Sequence, residues 1–564
     1  LRETSWPELR DQVTRLALAL RRLGVGKGDR LCAVMPNTDR TVAVFLAVAS
    51  IGAVWSVCSP DMGPMAILDR FAQIEPKLLI VCDGSTWGGV QHPRQAVTVQ
   101  LLAGLPSVEH VVLWRYLDVS SDASVFASPA RQAHDLEDLF ATPKAEFAPE
   151  WLPFDHPLWV VYSSGTTGLP KPIVHGHGGI VLEALKSRLH NNLGPRAQTG
   201  ARFHWFSTTG WIMWNAQVGA LLGGTTACIF DGNPAGPSGA PDWTTLWRVA
   251  GLARATFFGA GAAFFANCLK ADVHPQQATD LGALRAIGAT GSPLSDECYD
   301  WIWQRCPTPG GAPIWIDVIS GGTDFAGAFV AGNVMLPQRR GQMQCRSLGA
   351  AVAAWSEGGE AVLGEVGELV CTEPLPSMPL RFWNDPGDTR LRDSYFDMFP
   401  GVWRHGDWIR LVPDPEAAVG AIIYGRSDAT INRFGVRMGT AELYRAVEAL
   451  PEVLDSLVVD LEYLGRESYM PLFIVLRDGL ILDEKLTKTL NLVIRSALSP
   501  RHVPSEVFQV EAIPRTLSGK KMELPVKKLL LGAPAEQVFK LDAMANAKCV
   551  QWFAEFAERR RRAA

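Results

Sequence analysis

"VVYSSGTTGLPKPIVHGHGG", residues 160–179, decides how the rest of the chain is read. An apolar run ends at Tyr162. Ser163, Ser164, Gly165, Thr166, Thr167 and Gly168 follow, with Lys171 shortly after them. Glycines let a backbone approach a ligand closely, hydroxyls and N–H groups donate to phosphate oxygens, and a lysine adds a mobile positive charge. The combination predicts a phosphate-gripping loop. It is not a Walker A loop, because G-x-x-x-x-G-K-[ST] is absent and Pro170–Lys171–Pro172 stands here instead.

Around this loop, helical patterns alternate with short Val/Ile-rich runs over most of the first 400 residues, which predicts α/β layers. Expected strands include Leu78–Cys82, Val111–Trp114, Leu158–Tyr162 and Ala255–Phe258, and residues 230–243 read as a Pro-rich surface loop. Ser5–Trp6–Pro7–Glu8 is a capping box, and Leu9, Val13, Leu16, Leu20 and Leu23 line one face of the helix it opens, which Gly24 stops. Near residue 425 the texture changes. A strand runs into a Gly-punctuated hairpin and then a helix capped by Thr440. Strands over Leu457–Leu461 and Met470–Leu476 follow, then a helix over Glu484–Leu498. The expected division is a large α/β unit over 1–425 and a small α+β unit over 426–564.

The bulk composition narrows the function. The chain has 564 residues, 47% hydrophobic and 20% charged, with a formal net charge of -5. That charge gives no case for a nucleic-acid partner, whose binders carry a basic face. The basic "ERRRRAA" at 558–564 reads as a solvated helix end. Ten cysteines are scattered without a C-x-x-C or zinc spacing, as expected of free buried thiols in a reducing, cytoplasmic compartment. Residues 41–58 carry no charge, but Gly52 divides them into a buried helix and a core strand, so no membrane span is expected. The chain opens on Leu1 rather than Met, and a segment upstream is expected.

Further motifs fall in a fixed order after the loop. They are "ATGSP" (289–293), "ISGGTDFAG" (319–327), "WRHGDWIRL" (403–411), "GRSDATINRFGVR" (425–437) and "PRTLSGKKMELPVKK" (514–528). Together they resemble the adenylate-forming enzymes: acyl-CoA synthetases, luciferases and the adenylation domains of peptide synthetases. The resemblance implies a large multi-layered N-terminal domain, with β-sheets flanked by helices, and a small mobile C-terminal lid. It implies ATP and CoA as substrates, with Mg²⁺. Ser163 to Gly168 and Lys171 would hold phosphates, and Gly291, Ser292, Pro293 and Gly322 would line the adenine side. Thr323 and Asp324 would meet the metal, where most relatives have Glu in place of Asp324. Asp407 would accept from the ribose hydroxyls, and Arg426 and Arg437 would reach the nucleotide. Asp428 would be the hinge. Lys520 would be the catalytic lysine, with Lys521 its rival, and Gly435 and Arg501 would border CoA.

Within this family the chain is similar to the branch that activates acetoacetate, notably over 58–77, 163–179, 208–215 and 319–349. Acyl-pocket walls by alignment are Trp211, Ile212, Met213, Thr290 and Gly321. Relatives acting on acetate carry a bulky Trp where Gly321 stands, so the glycine implies room for a longer acid. Butyrate would fit the same room, since one methylene changes discrimination by only about 1–3 kcal/mol. Loading of a carrier-protein thiol is the other reading, against which no carrier motif is attached.

Overall fold

The structure is a computed structural model. It describes residues 1–163, 169–191, 201–415, 418–427, 431–433, 436–438, 440–461, 469–497 and 502–563, with backbone only for 65, 425–426, 432–433, 436–438, 441–442, 445, 496 and 562–563. The expected loop residues 164–168, the hinge Asp428, Gly435 and Arg501 lie outside the described residues, as do the side chains of Arg426 and Arg437.

Among the described residues, three larger sheets, with a small three-stranded sheet and a two-stranded one, carry the first 426 positions. An eight-stranded sheet runs in the order Arg381–Phe382, Lys171–Gly176, Pro157–Ser163, Val54–Cys58, Arg30–Val34, Leu78–Cys82, His110–Trp114, Gln132–Asp135. Its strands are parallel except at the Lys171–Gly176 edge, where both pairings are antiparallel. Leu78–Cys82 and His110–Trp114 are buried along their whole length, as strands covered on both faces must be. The 41–58 stretch resolves as expected into the helix Asp39–Ser50 and the strand Val54–Cys58, and among the described residues no helix is long and apolar enough to cross a membrane. The Ser5 capping box is present, with Leu16 and Leu20 buried beneath it.

A second sheet is parallel throughout: Thr226–Cys228, Arg202–Trp205, Phe257–Gly261, Ala286–Thr290, Trp315–Val318. Its central strand starts two residues later than the sequence suggests. Ala255 N–H still bonds back to Ala250, and Thr256 bonds Arg202 at the strand's entry. The strand also runs three residues past the expected Phe258, with Gly259 and Gly261 inside it. A third, antiparallel sheet (Ala361–Val362, Val352–Trp355, Val366–Cys371, Trp403–Val412, Gly420–Arg426) carries the chain to residue 426.

Beyond this point the chain builds two apolar cores entirely from residues 431–557. They pack around the strands Val453–Val458, Pro471–Leu476 and Glu506–Gln509, the first of them lying earlier than the expected Leu457–Leu461. This part touches the rest at identifiable points. Asp542 accepts the Gly63 N–H on its carbonyl (3.2 Å) and the Ala66 N–H on its carboxylate (2.8 Å), capping the Pro64–Phe71 helix, whose own N-cap residue is a glycine without a side chain. Lys540 pairs with Asp69 on the same helix.

Candidate functional site

Ser163 and Lys171 are cross-strand neighbours in the antiparallel pair Pro157–Ser163 and Lys171–Gly176. The expected phosphate loop therefore joins two strands of a hairpin, not a strand and a helix. This departs from phosphate sites that exploit a helix N-terminus. Lys171 Nζ lies 5.0 Å from the centre of the Tyr395 ring, which stacks on Trp403 at 3.7 Å and 13°. The Tyr395 hydroxyl donates to Asp324 Oδ1, and Ser163 Oγ donates to the same oxygen at 3.4 Å. Loop hydroxyl, lysine and the expected metal carboxylate thus converge on one tyrosine.

His175, which sequence reasoning left unassigned, fixes the segment carrying Thr323 and Asp324. Trp159 Nε1–H donates to His175 Nδ1 at 2.9 Å, so Nε2 carries the ring proton and donates to the Asp324 carbonyl at 2.9 Å. The ring is fully buried, and burial holds its pKa down to about 4. It is a neutral strut. The signal was visible, a histidine in the strand that returns from the loop, but only the fold shows what it faces. On the far side, Glu183 accepts the Ala328 N–H at 3.4 Å, pairs with Lys186 at 2.7 Å, and leaves no space for a Cβ on Gly327. Burial raises the Glu183 pKa. Between them Ala326 is held at φ +52°, a left-handed conformation that costs a non-glycine residue about 1 kcal/mol or more.

Asp407 is buried in the strand Trp403–Val412, directly across from Arg426. His405 Nε2 lies 3.6 Å from its carboxylate, and a Cβ placed on Gly322 would come 2.9 Å from the same imidazole. The expected ribose acceptor and the expected adenine-side glycine therefore meet at His405. One turn of strand away, buried Glu368 accepts from Gly406 N–H (3.0 Å) and Ser427 Oγ (3.1 Å) and pairs with Arg404 (3.3 Å), securing the chain up to Ser427.

Of the expected acyl walls, Trp211 and Met213 lie in one apolar cluster and half-buried Ile212 outside it. Trp211, Met213 and Ile319 share a cluster with Phe203, Trp205, Phe257, Ala286 and Trp315. Thr290 Oγ1 donates to the Ile319 carbonyl at 2.8 Å, and Gly291, at φ +89°, lies within 3.7 Å of the Trp211 ring when given a Cβ. Ser292 and Pro293 are exposed beside it. Gly321 needs a correction. A Cβ there would stand 1.9 Å from the Gly327 carbonyl oxygen, so the missing side chain is required first by the close backbone approach of Ser320–Gly322 to Gly327–Ala331. A tryptophan cannot simply be added at this position to fill a pocket.

The two candidate lysines separate clearly. Lys521 Nζ donates to the Ser456 carbonyl at 2.6 Å, pairs with Glu448 and with Asp455 (3.2 Å), and sits 3.6 Å over the Tyr444 ring. It is a structural cation. Lys520 is exposed, one residue past Gly519 (φ +81°), on a tight hairpin closed by Thr516 N–H to the Lys520 carbonyl at 2.9 Å. Arg515 braces that hairpin, donating to Gly519 and pairing with Asp455 at 2.7 Å. Leu517 packs against the same core cluster as Tyr162 and Met62.

An all-oxygen set of Ser163, Thr323 and Asp324, beside the expected phosphate loop, would suit Mg²⁺ arriving with ATP, since that ion keeps waters and phosphate oxygens as most of its ligands. Comparison with known proteins agrees. The profile of the AMP-binding enzyme family matches residues 1–378, and the chain belongs to that family, whose fold is the adenylate-forming one and whose acyl-CoA synthetases use ATP and CoA with Mg²⁺. Among relatives, acetoacetyl-coenzyme A synthetase of Rhizobium meliloti (strain 1021) is 42% identical over 560 residues, 98% of this chain and 82% of its own length. Acetoacetyl-CoA synthetase of Gallus gallus is 40% identical over 540 residues, 95% of this chain and 78% of its own. The solved acetoacetyl-CoA synthetase from Streptomyces lividans superposes with a TM-score of 0.89 at 44% identity, covering 99% of this chain and 82% of that one. The anthranilate CoA ligase AuaEII, with anthranoyl-AMP, shares the fold at a TM-score of 0.75 and 18% identity.

Proposed function

We propose that this protein is an AMP-forming acetoacetate–CoA ligase. It joins acetoacetate to ATP as an acyl-adenylate, releases pyrophosphate, and passes the acyl group to CoA. The observation that carries the substrate is the run of relatives named acetoacetyl-CoA synthetase, matched at 37–42% identity over nearly the whole chain.

Adenylation brings two anions together, so charge neutralisation is the main task. The attacking carboxylate is already a nucleophile and needs no general base. Residues 163–168 and Lys171 hold the phosphates, and Thr323 and Asp324 take up the Mg²⁺ that comes with them. Gly291, Ser292, Pro293 and Gly322 border adenine, while Asp407 accepts from the ribose with Arg426 and Arg437 nearby. Lys520 supplies positive charge at the α-phosphate, where charge develops as the acyl oxygen attacks. Trp211, Ile212, Met213 and Thr290 enclose the acyl chain.

The small unit, 426–564, then turns about Asp428, carrying Lys520 away so that a thiol can reach the adenylate, with Gly435 and Arg501 on the CoA path. Ten unpaired cysteines, nine of them buried, suit a reducing cytoplasmic compartment.

The test is pyrophosphate release with ATP, Mg²⁺ and, in turn, acetoacetate, acetate, butyrate and 3-hydroxybutyrate, with and without CoA. Highest CoA-dependent turnover on acetoacetate is expected. Highest turnover on another acid would keep the ligase and discard the substrate.

A further inference from the structure

The five-stranded parallel sheet lines up four residues distant in sequence. Trp205 pairs with Gly259, Gly259 with Gly288, and Gly288 with Asp317. Partners in parallel strands project to the same face, so these four form one row across the sheet. The row above it, toward the ends of the strands where ligands of such sheets bind, holds Gly261 and Thr290, with Ile319 just beyond the last strand. The row below holds Phe203, Phe257, Ala286 and Trp315.

Two glycines in the middle row make room for one side chain. A Cβ on Gly259 would fall 2.2 Å from Trp205 Cε3, and one on Gly288 would fall 2.3 Å from Trp205 Cζ3. The indole therefore lies across both strands, from its own toward Asp317. It forms the layer beneath Thr290, in the same cluster as Trp211, Met213 and Ile319. Rows two residues apart are separated by about 6.6 Å along the strands. A four-carbon acid with its carboxylate at the level of Thr290 would bring its far carbons down to the indole.

Trp205 is 2% exposed, and its Nε1–H has no hydrogen-bond partner among the described residues. Four other indoles share that property (Trp55, Trp214, Trp301 and Trp403), but they are enclosed in the two large apolar cores and not in the cluster that holds Trp211, Met213 and Ile319. A buried donor left unpaired costs about 1–3 kcal/mol, which a ligand acceptor can recover. Asp317, at the other end of the row, already has both carboxylate oxygens occupied, by Gly332 N–H (2.8 Å) and Asn191 Nδ2–H (3.0 Å).

We propose that Trp205 is the floor of the acyl pocket and its specificity determinant. The indole sets the depth to four carbons, and its N–H donates to the 3-oxo oxygen of the bound acid. Butyrate has the same length but no acceptor there, so it leaves the donor unpaired. This rests on the acetoacetate reading, and the experiment separates the two.

The measurement is kcat/KM for pyrophosphate release on acetoacetate, butyrate and hexanoate, with thermal unfolding as a check, for the wild-type chain, Trp205→Phe, Trp205→Leu and Gly288→Ala. Trp205→Phe keeps an aromatic floor and removes the donor. It is expected to lower acetoacetate turnover about 10- to 100-fold, the order of one deleted hydrogen bond, with butyrate changed less than about threefold. Trp205→Leu should move the chain-length optimum toward hexanoate. Gly288→Ala keeps the donor but displaces the ring, and should also reduce the acetoacetate-to-butyrate ratio. Equal losses on acetoacetate and butyrate in both Trp205→Phe and Gly288→Ala would overturn the hydrogen bond. An unmoved chain-length optimum in Trp205→Leu would overturn the floor. A wild-type chain that prefers another acid removes the acetoacetate reading and the donor's role with it, while the Leu variant still decides the floor.

Discussion

His175 shows what a single side chain contributes when its tautomer is set from both sides. With Nδ1 taken by Trp159 and Nε2–H given to the Asp324 carbonyl, it holds the acidic segment without carrying charge. Lys520 and Lys521 are adjacent, and their fates should diverge. Lys520→Ala is expected to slow adenylation roughly 10²–10³-fold while leaving thioester formation from preformed acyl-adenylate intact, as loss of one preorganised charge donor does. Lys521→Ala removes the partner of Glu448 and Asp455 and should destabilise the small unit by about 3 kcal/mol, read by denaturant unfolding. Asp317 gives a pH signature. Burial raises its pKa from 3.8 to about 7. Its contribution to stability is therefore full below the unfolded value and is lost as pH rises through about 7. Relative to Asp317→Asn, the wild type should lose about 1.4 kcal/mol for each pH unit across that window. An equal gap at pH 5 and pH 8 would show that this carboxyl does not titrate there.

At the scale of elements, the hairpin Ser320–Gly322 and Gly327–Ala331 is tightly constrained: a register shift after Ser320, Gly321 with no room for a Cβ beside the Gly327 carbonyl, and Ala326 at positive φ. Gly321→Trp is accordingly expected to lower turnover on acetate and acetoacetate alike and to reduce thermal stability, by the overpacking cost of about 1–3 kcal/mol or more. A selective gain on acetate would instead favour the pocket reading of this glycine. Legibility in sequence followed the same line. Helices with capping boxes and uninterrupted apolar strands were readable, because their signals are local. The strand expected over Ala255–Phe258 is present, but its bounds, Phe257–Gly261, were not legible, since its second half is only glycine and alanine and Trp205 fills the space over Gly259. The motifs named the residue types of the site, whereas Tyr395 and Glu183 act on them from elements that carry no motif of their own, and the role of His175, inside the opening stretch, depends on which distant segment it faces.

Across the whole molecule, the described polar contacts between the two parts include one far from the Gly63–Asp542 cap. Lys270 reaches across 184 positions to the Leu454 carbonyl at 2.7 Å. Glu448 and Asp455 lie near it, in the group that braces the Lys520 hairpin, and burial lowers the Lys270 pKa. Lys270→Met is therefore expected to slow adenylation about threefold to tenfold, the order of one hydrogen bond, and to spare the thiol half-reaction. Separate assays of the two half-reactions would check this, and an equal effect on both would mean that the contact does not favour one arrangement. By itself the sequence determined the class of chemistry and the order of its parts, because phosphate, metal and ribose groups are met by short stretches whose residue types and spacing are local. The tertiary structure alone decided which lysine is structural, why Gly321 is a glycine, and that residues 205, 259, 288 and 317 form one row. Those facts depend on strand register and on contacts between positions tens to hundreds of residues apart, and no local pattern encodes which residue of a distant strand will lie alongside.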